Sequence, residues 1–459
     1  MNKARAPLVL LINPWISDFA AYDLWAKPLG LLFLASLLRE GGCGAAFIDC
    51  LDRRDPFTNS HPGVLPGKDR KFGTGKYPRM RIPKPGPYAD FPRHFHRHGI
   101  HPESFRRKLS EIEKPDIVWI TSAMTYWYPG VFEAVRIVRE VFPGIPVWLG
   151  GIYARLCPAH AAQWSGADRV ATDDLSRLPE MIYEQTGFSP RNSDVWGDFR
   201  LWPLPSLDLL KPTSGYAPLL TGVGCPYRCP YCASSVLEPR PSRLDSRRIM
   251  EQIERGCEVL GATDFAFYDD ALLLGCERTL RPVLEHIAKE GPRIRFHVPN
   301  ALHVRALSRE WCDLLYASGF RTIRLGLETA LDGRSREWGD KVDAGMYLKA
   351  VSNLFAAGFS RGDLGAYLLC GLPGQSPEEV AESIGFVRQS GVQPYIAEFS
   401  PIPGTLMWDK AAAVSRFDIA AEPLYHNNTF FACRRPDFTY DDMVALKSLA
   451  KKSGEDKKS

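Results

Sequence analysis

Residues 217–233 read APLLTGVGCPYRCPYCA, and this stretch decides what the second half of the chain can form. Its first seven residues, Ala217–Val223, are mostly apolar and predict a buried strand. A loop follows at once and carries Cys225, Cys229 and Cys232, spaced four and three residues apart. Three thiolates at this spacing can wrap one compact inorganic centre, and a reducing compartment would keep them available for metal.

Zinc and an iron–sulfur cluster are the two centres that such a loop suggests. Structural zinc takes four protein ligands, and no fourth Cys or His lies near the loop. A four-iron cluster also normally takes four thiolates; with three, one iron stays open to a small-molecule ligand. The loop therefore favours the cluster. The other eight of the eleven cysteines are scattered singly, which is typical of residues that fill apolar space.

At these residues the sequence resembles the radical S-adenosylmethionine (SAM) superfamily. Its signature is Cys-x-x-x-Cys-x-x-Cys with an aromatic residue before the last Cys, here Tyr231. The resemblance covers residues 214–405 and implies a [4Fe–4S] cluster held by the three cysteines. In that family SAM chelates the open iron, and one electron from the cluster cleaves SAM to a 5′-deoxyadenosyl radical, which abstracts hydrogen from the substrate. The cofactor supplies this chemistry, while the protein orients the reactants and excludes solvent.

Three later segments strengthen the resemblance. The segment 324–329 looks like the fourth-strand Gly-x-Glu-Ser/Thr element, which implies that Glu328 faces SAM. The segment 370–376 looks like the fifth-strand Gly-x-Pro-Gly-x-Thr/Ser turn, which includes Gly371, and 400–405 looks like the Pro-Gly-Thr that closes the sixth strand. These matches imply SAM contacts at Glu328 and Gly371, and Tyr231 is expected to contact the adenine through its backbone.

One departure from the family pattern follows the second strand. The superfamily often has Gly-Gly-Glu there, contacting the methionine amino group, whereas this chain has Tyr268-Asp269-Asp270. Asp269 or Asp270 can accept the same charge-assisted hydrogen bond, and the sequence does not choose between them.

The second half alternates strands and helices and predicts a partial (β/α)6 TIM-like barrel over 214–405, with its chemistry at the strand ends. The predicted strands are Ala217–Val223, Asp264–Tyr268, Arg293–His297, Thr322–Leu327, Leu364–Leu369 and Tyr395–Phe399. Residues 406–459 form a C-terminal extension whose lysine-rich tail we expect to be disordered.

The first half also alternates, and predicts a doubly wound, Rossmann-like parallel sheet over 1–187. The predicted strands are Leu8–Ile12, Ala45–Asp49, Ile117–Thr121, Pro146–Leu149 and a short strand near Val170. An irregular segment, 188–213, is expected to link the two domains. The fold class is therefore α/β throughout.

The first domain resembles the cobalamin-binding-like domain that precedes many radical SAM cores. Ser122 after the third strand and Gly150-Gly151 after the fourth match the elements that serve the nucleotide tail of cobalamin. The Asp-x-His-x-x-Gly element with the axial cobalt ligand is missing, since the first strand is followed by Asn13-Pro14-Trp15-Ile16-Ser17-Asp18. Either cobalamin binds without a protein histidine, or the domain keeps the fold and binds something else.

A basic insert, residues 52–108, interrupts this domain. It has fourteen Lys/Arg, five Asp/Glu and five histidines, and it shows no sustained period. His94, His96 and His98 would share one face of a strand and could bind metal, but the composition favours a solvated loop. The insert is also a candidate lid, or a grip on an anionic substrate through residues such as Lys76, Arg79 and Arg81.

Bulk composition limits the remaining possibilities. The chain has 459 residues, 45% apolar and 24% charged, with a net charge of +4. The longest apolar run, 28–38, is shorter than the roughly 17–25 residues that span a bilayer, and no signal peptide is indicated, so we expect a cytoplasmic protein without membrane contact. Near-balanced charge and the lack of a C-terminal RNA-binding module argue against nucleic acid. The expected partners are a small-molecule substrate and an electron donor such as flavodoxin or ferredoxin.

Two functions follow from these features. The first is a radical SAM enzyme acting on an unknown substrate, with methyl transfer or rearrangement if cobalamin binds. The second is an iron–sulfur redox or sensory module that does not cleave SAM. The SAM-facing matches at Glu328 and 371–374 favour the enzyme, because an electron carrier needs neither.

Overall fold

The computed structural model describes residues 5–172, 175–210, 215–339 and 342–451. Contacts divide the chain into two units, Met1–Gly215 and Tyr216–Ser459. The predicted disordered tail lies outside the described residues from 452 onward. Among the helices that the structure describes, none has the length and apolar character that crossing a bilayer requires.

Eleven strands and seven α-helices are described in the first unit. The strands are β1 (Leu8–Asn13), β2 (Ile16–Asp18), β3 (Tyr22–Asp23), β4 (Gly44–Asp49), β5 (Lys68–Asp69), β6 (Gly75–Lys76), β7 (Arg79–Ile82), β8 (Phe95–His98), β9 (Ile117–Ile120), β10 (Val147–Leu149) and β11 (Arg169–Val170). The helices are α1 (Leu29–Glu40), α2 (Pro56–Ser60), α3 (Pro102–Ser110), α4 (Tyr128–Val141), α5 (Ile152–Leu156), α6 (Pro158–Trp164) and α7 (Leu178–Thr186).

The main sheet of this unit is parallel, in the order β11-β10-β9-β1-β4. Helices cover both of its faces, since one core contains α3 and α4 side chains and the other contains α1 and α7 side chains. From β1 the chain adds β4 on one side and then crosses over to add β9, β10 and β11 on the other side. This strand order confirms the doubly wound, Rossmann-like prediction. Loops that follow β1 and β9 therefore border the usual ligand crevice of such sheets.

The prediction of an irregular, solvated insert is wrong in part. β2, β8 and β7 form one antiparallel sheet, and β3, β6 and β5 form another. These strands have only two to four residues, too few to give a period, and two of them pair with segments before the insert. The segment expected as a linker is described up to Leu210, and it packs on α1: Ser206 Oγ lies 2.7 Å from Ser36 Oγ, and Trp196 is buried in the adjacent core.

Nine strands and nine α-helices are described in the second unit. The strands are β12 (Ala217–Leu219), β13 (Gly222–Val223), β14 (Ser242–Arg243), β15 (Asp264–Phe267), β16 (Arg295–His297), β17 (Leu302–His303), β18 (Phe320–Glu328), β19 (Leu364–Cys370) and β20 (Gln393–Glu398). The helices are α8 (Ser234–Leu237), α9 (Ser246–Leu260), α10 (Leu280–Lys289), α11 (Arg309–Ala317), α12 (Asp332–Glu337), α13 (Ala344–Ala357), α14 (Pro377–Gln389), α15 (Trp408–Val414) and α16 (Tyr440–Lys451).

The six predicted strands form a parallel sheet in sequence order, β12-β15-β16-β18-β19-β20, and β17 also pairs with β18. Among the described residues β12 and β20 do not pair, so the sheet is open. The loops that follow these two edge strands nevertheless meet, because the Met407 N–H donates to the Pro230 carbonyl at 2.8 Å. This arrangement is the partial barrel that the sequence predicts.

The first predicted strand of this unit, 217–223, is broken in the structure. β12 ends at Leu219, and β13 pairs instead with β14 in an antiparallel hairpin. Between the two strands, backbone groups form hydrogen bonds with side chains instead of with a neighbouring strand. The Gln252 side chain donates to the Leu220 carbonyl at 3.0 Å, and the Thr221 N–H donates to the Asp269 carboxylate at 3.0 Å. Apolar character alone did not reveal these side-chain partners.

Candidate functional site

The three cysteines lie in the loop between β13 and β14. Gly224 opens this loop at φ 74°, and a side chain there would come within 2.9 Å of the Glu238 carbonyl oxygen. The Cys232 N–H donates to the Cys229 carbonyl at 3.0 Å, which tightens the second half of the loop. All three cysteines are half-buried and none forms a disulfide. The sequence therefore presents three thiols from one short, closed loop.

Cys225 lies beside a buried histidine. Its Sγ is 3.8 Å from Nε2 of His303, which is 4% exposed at the end of β17. The Tyr227 ring stacks on this imidazole, with centroids 4.8 Å apart and an interplanar angle of 17°. The His303 tautomer that is protonated at Nε2 directs an N–H at the sulfur, which favours the thiolate form of Cys225.

Cys229 and the end of β18 meet at Tyr231. Burial raises the pKa of Tyr231, and the negative charges of Glu328 and Cys229 and a hydrogen bond to Cys229 raise it further. The Tyr231 hydroxyl therefore stays protonated and donates to the Cys229 sulfur. Glu328 lies near enough to act on the same hydroxyl, which places the end of β18 against the cysteine loop.

Cys232 has its own partner in the first turn of α8. Its Sγ accepts a hydrogen bond from the Ser234 N–H at 3.5 Å and lies 3.3 Å from Ser234 Oγ. The Asp270 carboxylate, which follows β15, bonds Ser234 and the Gly224 N–H and thereby holds both ends of the loop. The residue as a whole is exposed, but burial of its carboxyl group raises the pKa of Asp270.

Glu328 has an unusual backbone. Its φ is 66°, in the left-handed region that non-glycine residues rarely occupy, and the register of β18 with β19 shifts between Gly326 and Glu328. Such strain costs roughly 1–3 kcal/mol and is concentrated at functional sites. The strained residue is the last one of β18, so its carboxylate lies at the carboxyl end of the sheet.

Asp269 is placed differently from Asp270. It is 3% exposed, and its carboxylate accepts hydrogen bonds from Thr221 N at 3.0 Å and Thr221 Oγ1 at 2.5 Å. Burial raises its pKa to about 6, against the opposing effect of these hydrogen bonds. Asp269 thus stabilises the backbone between β12 and β13, just before the cysteine loop.

Gly371 is buried at the end of β19. Its φ is 90°, and a side chain there would lie 2.7 Å from the Phe431 ring. The Gln375 side chain accepts hydrogen bonds from the N–H groups of Gly371, at 2.8 Å, and Leu372, at 3.2 Å. The turn therefore packs closely against the C-terminal extension.

The first unit brings Ser122, Gly150 and Gly151 together at the carboxyl ends of β9 and β10. Ser122 Oγ donates to the Gly150 carbonyl at 2.7 Å. Gly151 has φ 94°, and a Cβ there would lie 2.2 Å from the Ser122 carbonyl oxygen. Met124 and Ile152, on the same two loops, leave apolar side chains exposed. The two loops thus form one close-packed edge with apolar side chains beside it.

The metal hypothesis for the insert histidines gains no support. Within the described residues, no group of three or more His, Cys, Asp or Glu side chains is arranged to hold a metal ion. This holds for the three loop cysteines as well as the insert histidines, so the cysteines are candidate ligands through their spacing and their hydrogen-bond partners. His96 and His98 do lie in a strand, β8, rather than in the solvated loop that the composition favours.

The match to known families decides the identity of the second unit. The model of the radical SAM superfamily matches residues 219–387, from the end of β12 into α14. The second unit carries a radical SAM domain. Its family implies a [4Fe–4S] cluster and SAM as cofactors.

Solved structures of two other proteins share the fold of this radical SAM enzyme over nearly its whole length. The methyltransferase TsrM from Kitasatospora setae, with cobalamin and a [4Fe–4S] cluster bound, has a TM-score of 0.66 at 16% identity, covering 97% of this chain and 88% of that one. The cobalamin-dependent enzyme OxsB, with aqua-cobalamin and SAM bound, has a TM-score of 0.59 at 14% identity, covering 96% and 61%.

Two sequence relatives are each 25% identical to this enzyme. The uncharacterized methyltransferase PH0819 of Pyrococcus horikoshii matches over 331 residues, 65% of this chain and 70% of its own length. The hopanoid C-2 methylase of Rhodopseudomonas palustris matches over 288 residues, 58% of this chain and 52% of its own length.

The sequence singles out Asn300 and His303 past the third strand of the second half as substrate-facing or loop-stabilising residues, but it did not predict the hydrogen-bond partners of the sulfurs. Ser234 and the position of His303 beside Cys225 carry no family motif that the sequence revealed, because the contact with His303 joins residues far apart in the chain. Asn300 ties the loops after β15 and β16 through the Asp269 carbonyl, at 3.1 Å, which gives it a structural position.

Proposed function

We propose that this radical SAM enzyme is a corrinoid-dependent methyltransferase whose [4Fe–4S] cluster is held by Cys225, Cys229 and Cys232. The observation that carries the assignment of ligands is the set of sulfurs, each with its own hydrogen-bond partner. Such partners support thiolates, the form that binds iron, and tune the cluster. When bound and reduced, the cluster supplies the electron that cleaves SAM.

We assign the SAM contacts to the ends of β15 and β18. Asp270 is the better candidate for the methionine amino group, because its carboxylate borders the cysteine loop at Ser234 and Gly224, whereas Asp269 is buried on Thr221. Glu328 contacts SAM from the strained end of β18, and Tyr231 lies between it and the cysteines. Gly371 shapes the neighbouring turn rather than offering a side chain.

The first unit is proposed to hold the corrinoid, which supplies a methyl group when bound. Ser122, Gly150 and Gly151 support this role, because their backbone approach leaves no room for a Cβ and lets a flat ligand reach the sheet edge. TsrM and OxsB were both solved with cobalamin bound, and both sequence relatives are named as methyltransferases or methylases. The loop 13–18 has no histidine, so the corrinoid is held without an imidazole from this loop.

The substrate is a small molecule, and an electron donor of the flavodoxin or ferredoxin type reduces the cluster. Methyl transfer to an unactivated carbon needs both cofactors. The reduced cluster accounts for hydrogen abstraction, and the corrinoid accounts for the transferred group.

The experiment is anaerobic reconstitution followed by reduction with dithionite and an assay for 5′-deoxyadenosine. Wild-type protein is expected to release it from SAM, and C225A, C229A and C232A are each expected to lose both the cluster absorbance and the product. C257A is the matched control, because Cys257 is also half-buried but lies in α9. Retained cluster without SAM cleavage would favour the redox module instead, and lack of a corrinoid absorbance band in protein expressed with cobalamin would refute the methyltransferase.

A further inference from the structure

The face of the β2-β8-β7 sheet carries an unusual concentration of positive charge. In the antiparallel register His98 lies opposite Arg79, and His96 lies opposite Arg81, so these four side chains share one face. The neighbouring Arg93 and His94 are close enough to act on His96 as well. Burial lowers the pKa of His98 to about 3 and also lowers the pKa of His96, so the positive charge of this face comes from the arginines.

Several other arginines of the insert pair with carboxylates. Arg97, on the opposite face of β8, pairs with Glu133, and Arg53 pairs with Asp23 at 3.0 Å. Among the residues that the structure describes, neither Arg79 nor Arg81 has such a carboxylate. The Arg93 guanidinium lies over the Phe19 ring, 5.8 Å from its centroid.

Three buried nitrogen atoms on this face lack hydrogen-bond partners: Arg79 Nε, His96 Nδ1 and His98 Nδ1. His98 is 1% exposed and donates its Nε2–H to the Asp18 carbonyl at 3.3 Å, which leaves Nδ1 as an acceptor. Buried polar atoms are rarely left unpaired, because desolvation without a partner is costly. A ligand oxygen can accept a hydrogen bond from Arg79 Nε–H, whereas the acceptor Nδ1 of His98 needs a donor such as ordered water.

The face is attached to the ligand edge of the first unit. β2 starts three residues after the end of β1. Asp18, at the end of β2, accepts a hydrogen bond from Trp127 Nε1 at 2.7 Å, and Trp127 belongs to the loop that starts at Ser122. Small ligands of doubly wound sheets bind at this edge.

We propose that Arg79, Arg81 and His96 form a binding site for a phosphate-type oxyanion at the edge of the first unit. Arg79 and Arg81 donate charge-assisted hydrogen bonds to the oxyanion, and His96 and Arg93 flank it. The oxyanion belongs either to the nucleotide tail of a corrinoid or to a phosphorylated substrate. The site does not depend on the iron–sulfur cluster.

The test is calorimetric titration of the full-length protein with inorganic pyrophosphate at low ionic strength. Loss of charge-assisted hydrogen bonds is expected to weaken binding about tenfold or more in R79Q/R81Q. The control K68Q/K71Q makes the same change in charge at exposed positions of the insert and is expected to keep wild-type affinity. Should the double variant fail to fold, R81Q alone serves, because Arg81 is exposed.

Two results would overturn the site: no pyrophosphate binding by the wild type, or equal weakening in K68Q/K71Q. Corrinoid content then separates the two sources. A corrinoid lost from R79Q/R81Q assigns the oxyanion to the cofactor, and a corrinoid retained assigns it to the substrate. Cluster formation by the same variants reports separately on the function proposed above.

Discussion

His303 is the residue whose role in the cysteine loop is most open to a direct test. Its Nε2 lies 3.8 Å from the Cys225 sulfur, and Tyr227 stacks on its ring. His303→Phe keeps an aromatic ring for the stack and removes the donor. A hydrogen bond of about 1 kcal/mol corresponds to roughly 40 mV for a one-electron couple, so we expect the midpoint potential to fall by that order.

The measurement is an EPR-monitored redox titration of the reconstituted protein. His286→Phe is the control, since His286 lies in α10, away from the strand ends. An unchanged potential in His303→Phe, with the cluster intact, would show that the imidazole does not act on the sulfur.

Glu328 offers a second test at the same scale. Glu328→Gln keeps the shape of the side chain and removes its charge, so the cluster should assemble while the affinity for SAM falls about tenfold. SAM titration followed by EPR of the reduced cluster measures this change. Wild-type affinity in Glu328→Gln would instead assign the strained carboxylate a purely structural position.

Single residues also show where sequence reasoning stops. The sequence predicted the three ligands Cys225, Cys229 and Cys232 because their spacing alone limits the chemistry. The left-handed backbone of Glu328 was not visible, because it arises from the register shift with β19 rather than from local preference.

At the scale of elements, the start of β15 is tied to β16 by an ionic cluster. Asp264 accepts hydrogen bonds from Arg295 Nη2 at 2.6 Å and from His297 Nε2 at 2.9 Å. Burial opposes ionisation of Asp264, but these bonds outweigh it and lower its pKa to about 2. The cluster lies at the amino end of the strands, opposite the cysteine loop.

A lowered native pKa stabilises the fold above the unfolded value and loses this contribution as pH falls through about 2. Asp264→Asn should therefore cost about 2 kcal/mol at neutral pH and flatten the acid limb of the stability curve. Urea unfolding across the acid range measures both effects. Asp313→Asn, which breaks an exposed pair with Arg309, should cost about 0.5 kcal/mol or less. Equal losses in both variants would contradict the account.

The edge formed by the loops after β9 and β10 is tested by Gly151→Ala. A methyl group there meets the Ser122 backbone, whereas a methyl group on Gly144, with φ 79°, would have no neighbouring atom within 4 Å. Gly144→Ala should cost only the backbone strain, about 1–2 kcal/mol. Gly151→Ala should cost about 1–3 kcal/mol more and reduce corrinoid retention. Thermal unfolding and the corrinoid absorbance are the readouts, and equal behaviour of the two variants would refute the close approach.

The sequence predicted helices and strands best where they alternate regularly along the chain. All six strands of the second sheet were predicted to within a few residues. The first predicted strand was too long, because beyond β12 the backbone forms hydrogen bonds with the Asp269 and Gln252 side chains instead of with a neighbouring strand. The insert strands were missed because each is too short to show a periodic pattern, and two of them pair with segments that precede the insert.

At the scale of the whole molecule, the chain joins a doubly wound unit to a partial barrel. Their strand-end loops carry different residue types: thiols and carboxylates in the second unit, and small residues with exposed apolar side chains in the first. This division matches a chemistry that needs an iron–sulfur cluster and a second, group-carrying cofactor.

The central claim is that three cysteines hold a cluster with one iron left for SAM. EPR of the anaerobically reconstituted, dithionite-reduced protein, recorded with and without SAM, tests it most directly. We predict one [4Fe–4S] cluster per chain, with a signal that shifts when SAM is added. A zinc-loaded protein, or a cluster whose signal ignores SAM, would contradict this account.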